Sequence, residues 1–277
     1  MMQTLAVHCG GVGDFILSLP ALEHLAQSGA LDLLGYPERL ELAVAAGEAR
    51  SATHVDRVDF HTAFTSPSPA LRNFLQTYER IVVWMSDDDG TLAAGLRSAF
   101  NGEVHVFPGL PPDDWTGHAC DYVSHCVGRA PGAIPAISLP AAKYSHDVLV
   151  HPGSGSKKKN WPLENFVSLT QKLREHGHEV TWILGPAEEA MGGPPEIKIL
   201  SAISLVTLGQ HLHGARLYLG NDSGITHLAA AVGCSTIALF GPTDPARWAP
   251  RGDRVQVLQH PAVDEVLHIA RTTLQDP

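Results

Sequence analysis

The chain has no apolar run near the roughly 18 residues that a membrane-spanning helix needs. It has no CxxC pair among its four cysteines, Cys9, Cys120, Cys126 and Cys234, and no HExxH or His/Cys cluster at ligand spacing despite 16 histidines. Basic residues are also scarce: 19 Lys and Arg stand against 29 Asp and Glu, a formal net charge of −10. Each absence excludes a class. The missing run argues against a bilayer-spanning helix, and the start, MMQTLAVHCGG, lacks a basic segment ahead of its short apolar stretch, so an unexported cytoplasmic protein is expected. Unpaired cysteine spacing fits reduced thiols and not a disulfide framework. No metal site is expected, and the acidic balance argues against nucleic acid as a partner, because that needs a basic footprint.

What is present points to a globular α/β chain. At 277 residues, 44% apolar and 17% charged, the length suits two domains better than one core. Charge is unevenly spread: residues 1–140 hold 7 Lys and Arg against 16 Asp and Glu, whereas residues 141–277 hold 12 against 13. An anionic ligand is therefore expected to prefer the second half.

Short β-branched or apolar runs alternate with helical patterns, the signature of parallel sheets with crossover helices. Expected strands are Thr4–His8, Leu31–Leu34, Ile81–Trp84, Asp147–His151, Glu179–Leu184, Ile197–Leu200, Arg216–Leu219, Thr236–Phe240 and Val255–Leu258. Expected helices include Asp14–Gln27, Leu163–His176 and Gly224–Val232. Each half reads as a doubly wound, Rossmann-like sheet. The Pro/Ala-rich stretch Ala130–Ala142 is the expected linker, between an N-terminal domain over 1–135 and a C-terminal domain over 143–277. The acidic run Asp87–Asp89 reads as a solvated loop at a strand end before it reads as a metal site.

Three segments carry chemistry. The first, CGGVGDFILSLPALEHL (Cys9–Leu25), follows the first strand and opens a helix. Gly11 and Gly13 permit tight turns, but Ile16 stands where a dinucleotide fingerprint needs its third glycine. Asp14 sits where an N-cap is wanted; it also sits where a carboxylate at the C-terminal edge of a parallel sheet faces the ligand crevice and can take a proton.

The second segment, VLVHPGSGSKKKNWPLENF (Val148–Phe166), is a strand, a Gly/Ser loop, three lysines and a helix start. The backbone amides of Gly153–Ser156, including Gly155, and the hydroxyls of Ser154 and Ser156 suit a diphosphate, with lysine ammonium groups beside them. It lacks the GxxxxGK[ST] order of a Walker loop, and a lysine run can also be a solvated loop.

The third, LGNDSGITHLAAAVGCSTIALFGPTDPARWAPRG (Leu219–Gly252), places Asn221, Asp222, Ser223 and Gly224 at a second helix N-terminus. His227 falls one turn into that helix, where it reaches either a ligand or the packed interior. Ser223 lacks the GxSxG frame of a hydrolase nucleophile.

Together the three segments resemble the ADP-heptose:lipopolysaccharide heptosyltransferase family, densely from Asp147 to Gly252 and, in the first half, through GGVGDFILSLPAL. The resemblance implies a GT-B fold, two Rossmann-like domains facing across a cleft, with the acceptor on the N-terminal side and the donor on the C-terminal side. It implies sugar transfer with inversion and without metal or cofactor, from a nucleotide diphosphate donor such as ADP-heptose to a saccharide or lipopolysaccharide-core acceptor. Asp14 matches the family's general base, beside an acceptor-side loop containing Gly11 and Gly13. Lys159, in KNWP, matches the lysine that holds the donor phosphates. Glu188 matches an acidic residue on the donor ribose, and Asp222, Ser223, Gly224 and His227 match the segment lining the donor phosphate and sugar. A lipid-linked acceptor leaves room for peripheral contact with the inner membrane. Other classes open on the same scaffold are a sugar-nucleotide epimerase, a hydrolase and a non-catalytic sugar-nucleotide binder.

Overall fold

The structure is a computed structural model that describes residues 2–185, 188, 194 and 196–275. The chain separates into two compact units, Met1–Ala133 and Ile134–Pro277. The Pro/Ala-rich stretch is thus divided between them, and its later part is no free linker. Ile137 is buried and donates its N–H to Ala231 O at 2.9 Å, and Gln210 Nε2 donates to Pro140 O at 2.9 Å. An apolar side chain and a satisfied carbonyl tie residues 137–140 to the second unit.

The first unit is built on a five-stranded sheet: β1 (Met2–His8), β2 (Gly29–Gly35), β3 (Ser51–His54), β4 (Arg80–Trp84) and β5 (Glu103–Phe107). All pairings are parallel, in the order β3-β2-β1-β4-β5. The central strands are apolar runs whose residues are buried on both faces, Leu5–Val7 and Ile81–Val83 among them. Two strands not anticipated from the sequence are β3 and β5, the edges; they are short and only partly buried, so they carry no continuous apolar run. The helix after β1 spans Val12–Ala26 and buries Phe15 through Leu22 almost all round, as expected of a helix packed within a core.

The second unit holds six parallel strands: β6 (His146–His151), β7 (Val180–Leu184), β8 (Lys198–Ser201), β9 (Ala215–Asn221), β10 (Thr236–Phe240) and β11 (Val255–Gln259). Their order is β11-β10-β9-β6-β7-β8. Phe166, Leu169 and Leu173 of helix Leu163–Glu175 and Val266, Ala270 and Leu274 of helix Val263–Gln275 pack with Trp182, Leu217 and Leu219 into one core.

Topology positions the sites. In the first sheet the chain winds outward from β1 to β3 and then restarts at β4 on the other side of β1; in the second it winds from β6 to β8 and restarts at β9. Each sheet therefore has one switch point, β1/β4 and β6/β9, where the loops beyond the strand C-termini diverge and leave a crevice. The three chemistry-bearing segments follow β1, β6 and β9.

Candidate functional site

In the first unit, β1 ends at His8 and the loop Cys9-Gly10-Gly11 leads into helix Val12–Ala26. The helix begins two residues earlier than the sequence suggests. Its N-cap is Gly11, and Asp14 is the third helical residue, not the cap. The Asp14 carboxylate still serves the helix end: Oδ2 accepts the Gly11 N–H at 2.9 Å, so a side chain reaching back satisfies an amide the helix leaves open. Arg39, on helix Pro37–Ala45, donates to Gly10 O at 2.5 Å and to Cys9 O at 3.4 Å and so fixes the loop from outside. A methyl group on Gly10 would lie 2.9 Å from His8 Cε1 and 3.0 Å from Asp14 Cβ, which shows how closely imidazole, loop and carboxylate approach. His8 is only 5% exposed, and burial, followed by the nearby Arg39 charge, lowers its pKa to about 4. Asp14 is therefore a partly exposed carboxylate beside an uncharged ring. Gly13 lies in the first turn of the same helix.

The second unit presents two loops at the β6/β9 switch point. After β6, Pro152–Ser156 passes into a single 3₁₀ turn, Lys157–Lys159, before helix Leu163–Glu175. The Ser154 hydroxyl lies 2.6 Å from Asn160 Oδ1 and 2.8 Å from Ser156 O, so it is occupied in shaping the loop. Ser156 accepts the Lys159 N–H through its carbonyl at 2.9 Å, and Gly155 stands at the exposed apex. Lys157 and Lys158 are exposed, but Lys159 turns inward: Nζ lies 2.8 Å from Asp222 Oδ2, and that carboxylate is only 6% exposed. The lysine singled out from the KNWP segment and the aspartate from the NDSG segment thus form one ion pair across the two loops.

Asn221, at the end of β9, braces the same junction. Fully buried, it donates through Nδ2 to Pro152 O at 2.7 Å and accepts the Trp161 N–H at 2.8 Å. Ser223 caps helix Gly224–Ala231, its hydroxyl accepting from Thr226 N–H at 3.4 Å. Gly224 is the first helical residue, and His227, 5% exposed, lies one turn in with its own N–H donated to Ser223 O.

Glu188 is buried beyond β7. Its Oε2 accepts the Gly185 N–H at 3.0 Å and faces His151 Nε2 at 3.8 Å; the contact with His151 is the main reason its carboxyl sits below the usual carboxylate range. A methyl group on Gly153 would come within 2.1 Å of this carboxylate, so the glycine after β6 is what makes room for it. The sequence alone does not single out His8, Arg39 or His151, and it places Asn221 at a helix start without its bracing role. For His151 and Asn221 the available signal was a polar residue ending an apolar strand just ahead of a glycine-containing loop.

Among the described residues, no three His, Cys, Asp or Glu side chains are grouped to hold a metal ion. Asp87 and Asp89 instead accept backbone N–H groups at the start of helix Thr91–Ala99, Asp87 from Leu92 and Ala93 and Asp89 from Thr91. All four cysteines are free thiols. No helix among the described residues is long and apolar enough to cross a membrane.

This arrangement suits an anion. A lysine held by a buried carboxylate stands with two helix starts and a Gly/Ser loop at one sheet edge. Residues 134–271 match glycosyltransferase family 9 (heptosyltransferase). The chain is 34% identical over 112 residues to lipopolysaccharide heptosyltransferase 1 of Pseudomonas aeruginosa, covering 38% of this chain and 31% of that one. It spans less than half the length of the curated relatives it matches. Among solved structures, a family 9 glycosyl transferase from Veillonella parvula superposes with a TM-score of 0.78 at 15% identity, covering 100% and 98% of the two chains. The E. coli heptosyltransferase WaaC with ADP superposes with a TM-score of 0.74 at 18% identity, covering 98% and 100%. The two parallel-sheet units therefore have the GT-B heptosyltransferase fold.

Proposed function

From the premise that this chain carries a glycosyltransferase family 9 domain, we propose that it is an inverting glycosyltransferase. It moves a sugar, heptose, from a nucleotide diphosphate donor, ADP-heptose, to a saccharide or lipopolysaccharide-core acceptor. The observation that carries the reading is the Lys159–Asp222 ion pair at the β6/β9 switch point, because it fixes one cation beside two amide-bearing helix starts.

In this reading Asp14 takes the proton from the acceptor hydroxyl as its oxygen attacks the anomeric carbon. The bond from that carbon to the diphosphate oxygen breaks, and its electron pair leaves with the nucleotide diphosphate. Lys159 and the amides of the Gly153–Ser156 loop and of the Gly224 helix start stabilise the charge that develops there. Ser154, Gly155 and Ser156 shape that loop, and Glu188, Ser223 and His227 line the donor side. Such a site works without a metal, because lysine and helix ends supply the positive potential at the leaving group. A cytoplasmic location, with peripheral contact at the inner membrane where a lipid-linked acceptor lies, belongs to the same proposal.

The test is incubation with candidate nucleotide sugars, with and without heptose-containing acceptors, followed by measurement of free nucleotide diphosphate and sugar-extended acceptor. Transfer predicts acceptor-dependent release of both. Release without acceptor would show a hydrolase, and no release from any donor would remove the transferase reading. Activity is expected to survive EDTA; loss in chelator with restoration by magnesium, manganese or iron would overturn the metal-free mechanism.

A further inference from the structure

His151 has no role in the chemistry above, yet both flanks of the second unit's switch point meet on its ring. It is the last residue of β6, the strand between β7 and β9, and is 4% exposed. On one side Nε2 faces Glu188 Oε2 at 3.8 Å; on the other Nδ1 lies 3.4 Å from Ser223 Oγ, the cap of helix Gly224–Ala231.

Proton accounting along this chain of contacts fixes how Nδ1 meets Ser223. The Thr226 hydroxyl hydrogen goes to the Asn221 carbonyl, which can only accept. The Tyr218 hydroxyl, 3.0 Å from Thr226 Oγ1, must then be the donor to it. The Ser223 hydroxyl, 3.1 Å from the same oxygen, must donate there too, since Thr226 has no hydrogen left. Ser223 Oγ can then meet His151 only as an acceptor, so Nδ1 carries a hydrogen. Across the ring Nε2 faces the Glu188 carboxylate at 3.8 Å, beyond hydrogen-bond length, so that side is a close polar approach and the Ser223 side is the hydrogen bond.

We propose that His151 is a positioning residue: its ring, held between the Glu188 carboxylate and the Ser223 cap, keeps the two flanks in one geometry, so that each flank binds nucleotide only while the other is in place. This rests on the donor-site reading given above. Glu188 follows β7 and Ser223 follows β9, so the ring at the end of β6 reaches from one neighbouring strand's loop to the other's.

The experiment combines a spectroscopic and a binding readout on the full chain. Side-chain ¹⁵N NMR at neutral pH, assigned with His151→Gln, is expected to show Nδ1 carrying a hydrogen in the wild type; a bare Nδ1 would overturn the proposal. The dissociation constant is then measured for the tightest binder among ADP, UDP and GDP. His151→Asn and Glu188→Gln are each expected to weaken it about tenfold, and the double variant no more than the worse single one, as for residues acting as a unit. His151→Gln, whose amide reaches toward Glu188, should retain more affinity than His151→Asn. The loss should fall on donor KM, with kcat at saturating donor changing by less than about threefold. Additive losses, or unchanged affinity in both His151 variants, would contradict the coupling. A wild type that binds none of the three nucleotides would instead remove the donor-site reading itself.

Discussion

The loops after β1 and after β6 begin alike and end differently. Each leaves the strand beside its sheet's switch point, turns on glycine and delivers the chain toward a helix. The β1 loop is held by backbone acceptors, through Arg39, and by one carboxylate on one amide; the ring beside it is buried and uncharged. The β6 loop is held by buried polar side chains from its neighbours: Asn221, Asp222 and Glu188 all reach it. The first arrangement leaves a carboxylate partly exposed, as the proposed proton acceptor must be. The second fixes charges in place, which suits electrostatic stabilisation of an anion and not proton transfer.

The largest effect that would break this comparison is expected at Asp14. Asn can still accept the Gly11 N–H but cannot take a proton, so Asp14→Asn should lower kcat by about 10²–10⁴-fold with little change in melting temperature. Steady-state turnover measured beside a melting curve decides it, and near-wild-type turnover would leave Asp14 as a helix-end residue only.

Next in size is Lys159. Lys159→Ala removes a charge-assisted phosphate contact worth about 1.5–3 kcal/mol and strands the buried Asp222 carboxylate. Affinity for nucleotide diphosphate and melting temperature should both fall. Adding Asp222→Asn should restore the melting temperature and leave the affinity low, separating the lysine's role toward ligand from its role in the fold. Calorimetric titration and a thermal melt on the two variants suffice.

A smaller contrast lies in pH. His8 takes up a proton near pH 6.5 when unfolded but only near pH 4 when folded. Between those values the unfolded chain binds the extra proton, so the His8 contribution to stability should fall as the pH drops through that window, by roughly 3 kcal/mol, and be level above it. Glu48, raised by burial to about 7, titrates across much of the same window with the opposite sign. Glu188 acts with the same sign as His8 in a lower window: its stabilisation is present above the ordinary carboxylate pKa and is lost as the pH falls through its lowered folded value. Urea denaturation from pH 4 to 7 should show the His8 slope in the difference between the wild type and His8→Gln; a difference that does not change with pH would place the titrating group elsewhere.

The sequence made the sheets legible where burial is greatest. Thr236–Phe240, buried throughout, reads as a strand from its apolar run alone, whereas Ser51–His54 and Glu103–Phe107, at a sheet edge, carry no such run. Asp14 was visible as a helix-start residue, but its place as third residue and not cap depended on where the Gly10-Gly11 turn closes. Lys159 and Asp222 were each visible, yet their pairing was not, because it requires β9 to return beside β6. What His151 and Asn221 do there was hidden for the same reason. Their roles exist only once neighbouring strands bring the partner loops to them, and local pattern carries no information about that return.

The central claim is that nucleotide binding resides in the second unit while proton transfer resides in the first. The most direct test is the dissociation constant for ADP of the wild type, Asp14→Asn and Lys159→Ala, measured side by side by calorimetry. The account predicts a value unchanged in Asp14→Asn and at least about tenfold weaker in Lys159→Ala, the lower end of a charge-assisted contact. Equal weakening in both variants, or none in Lys159→Ala, would contradict it.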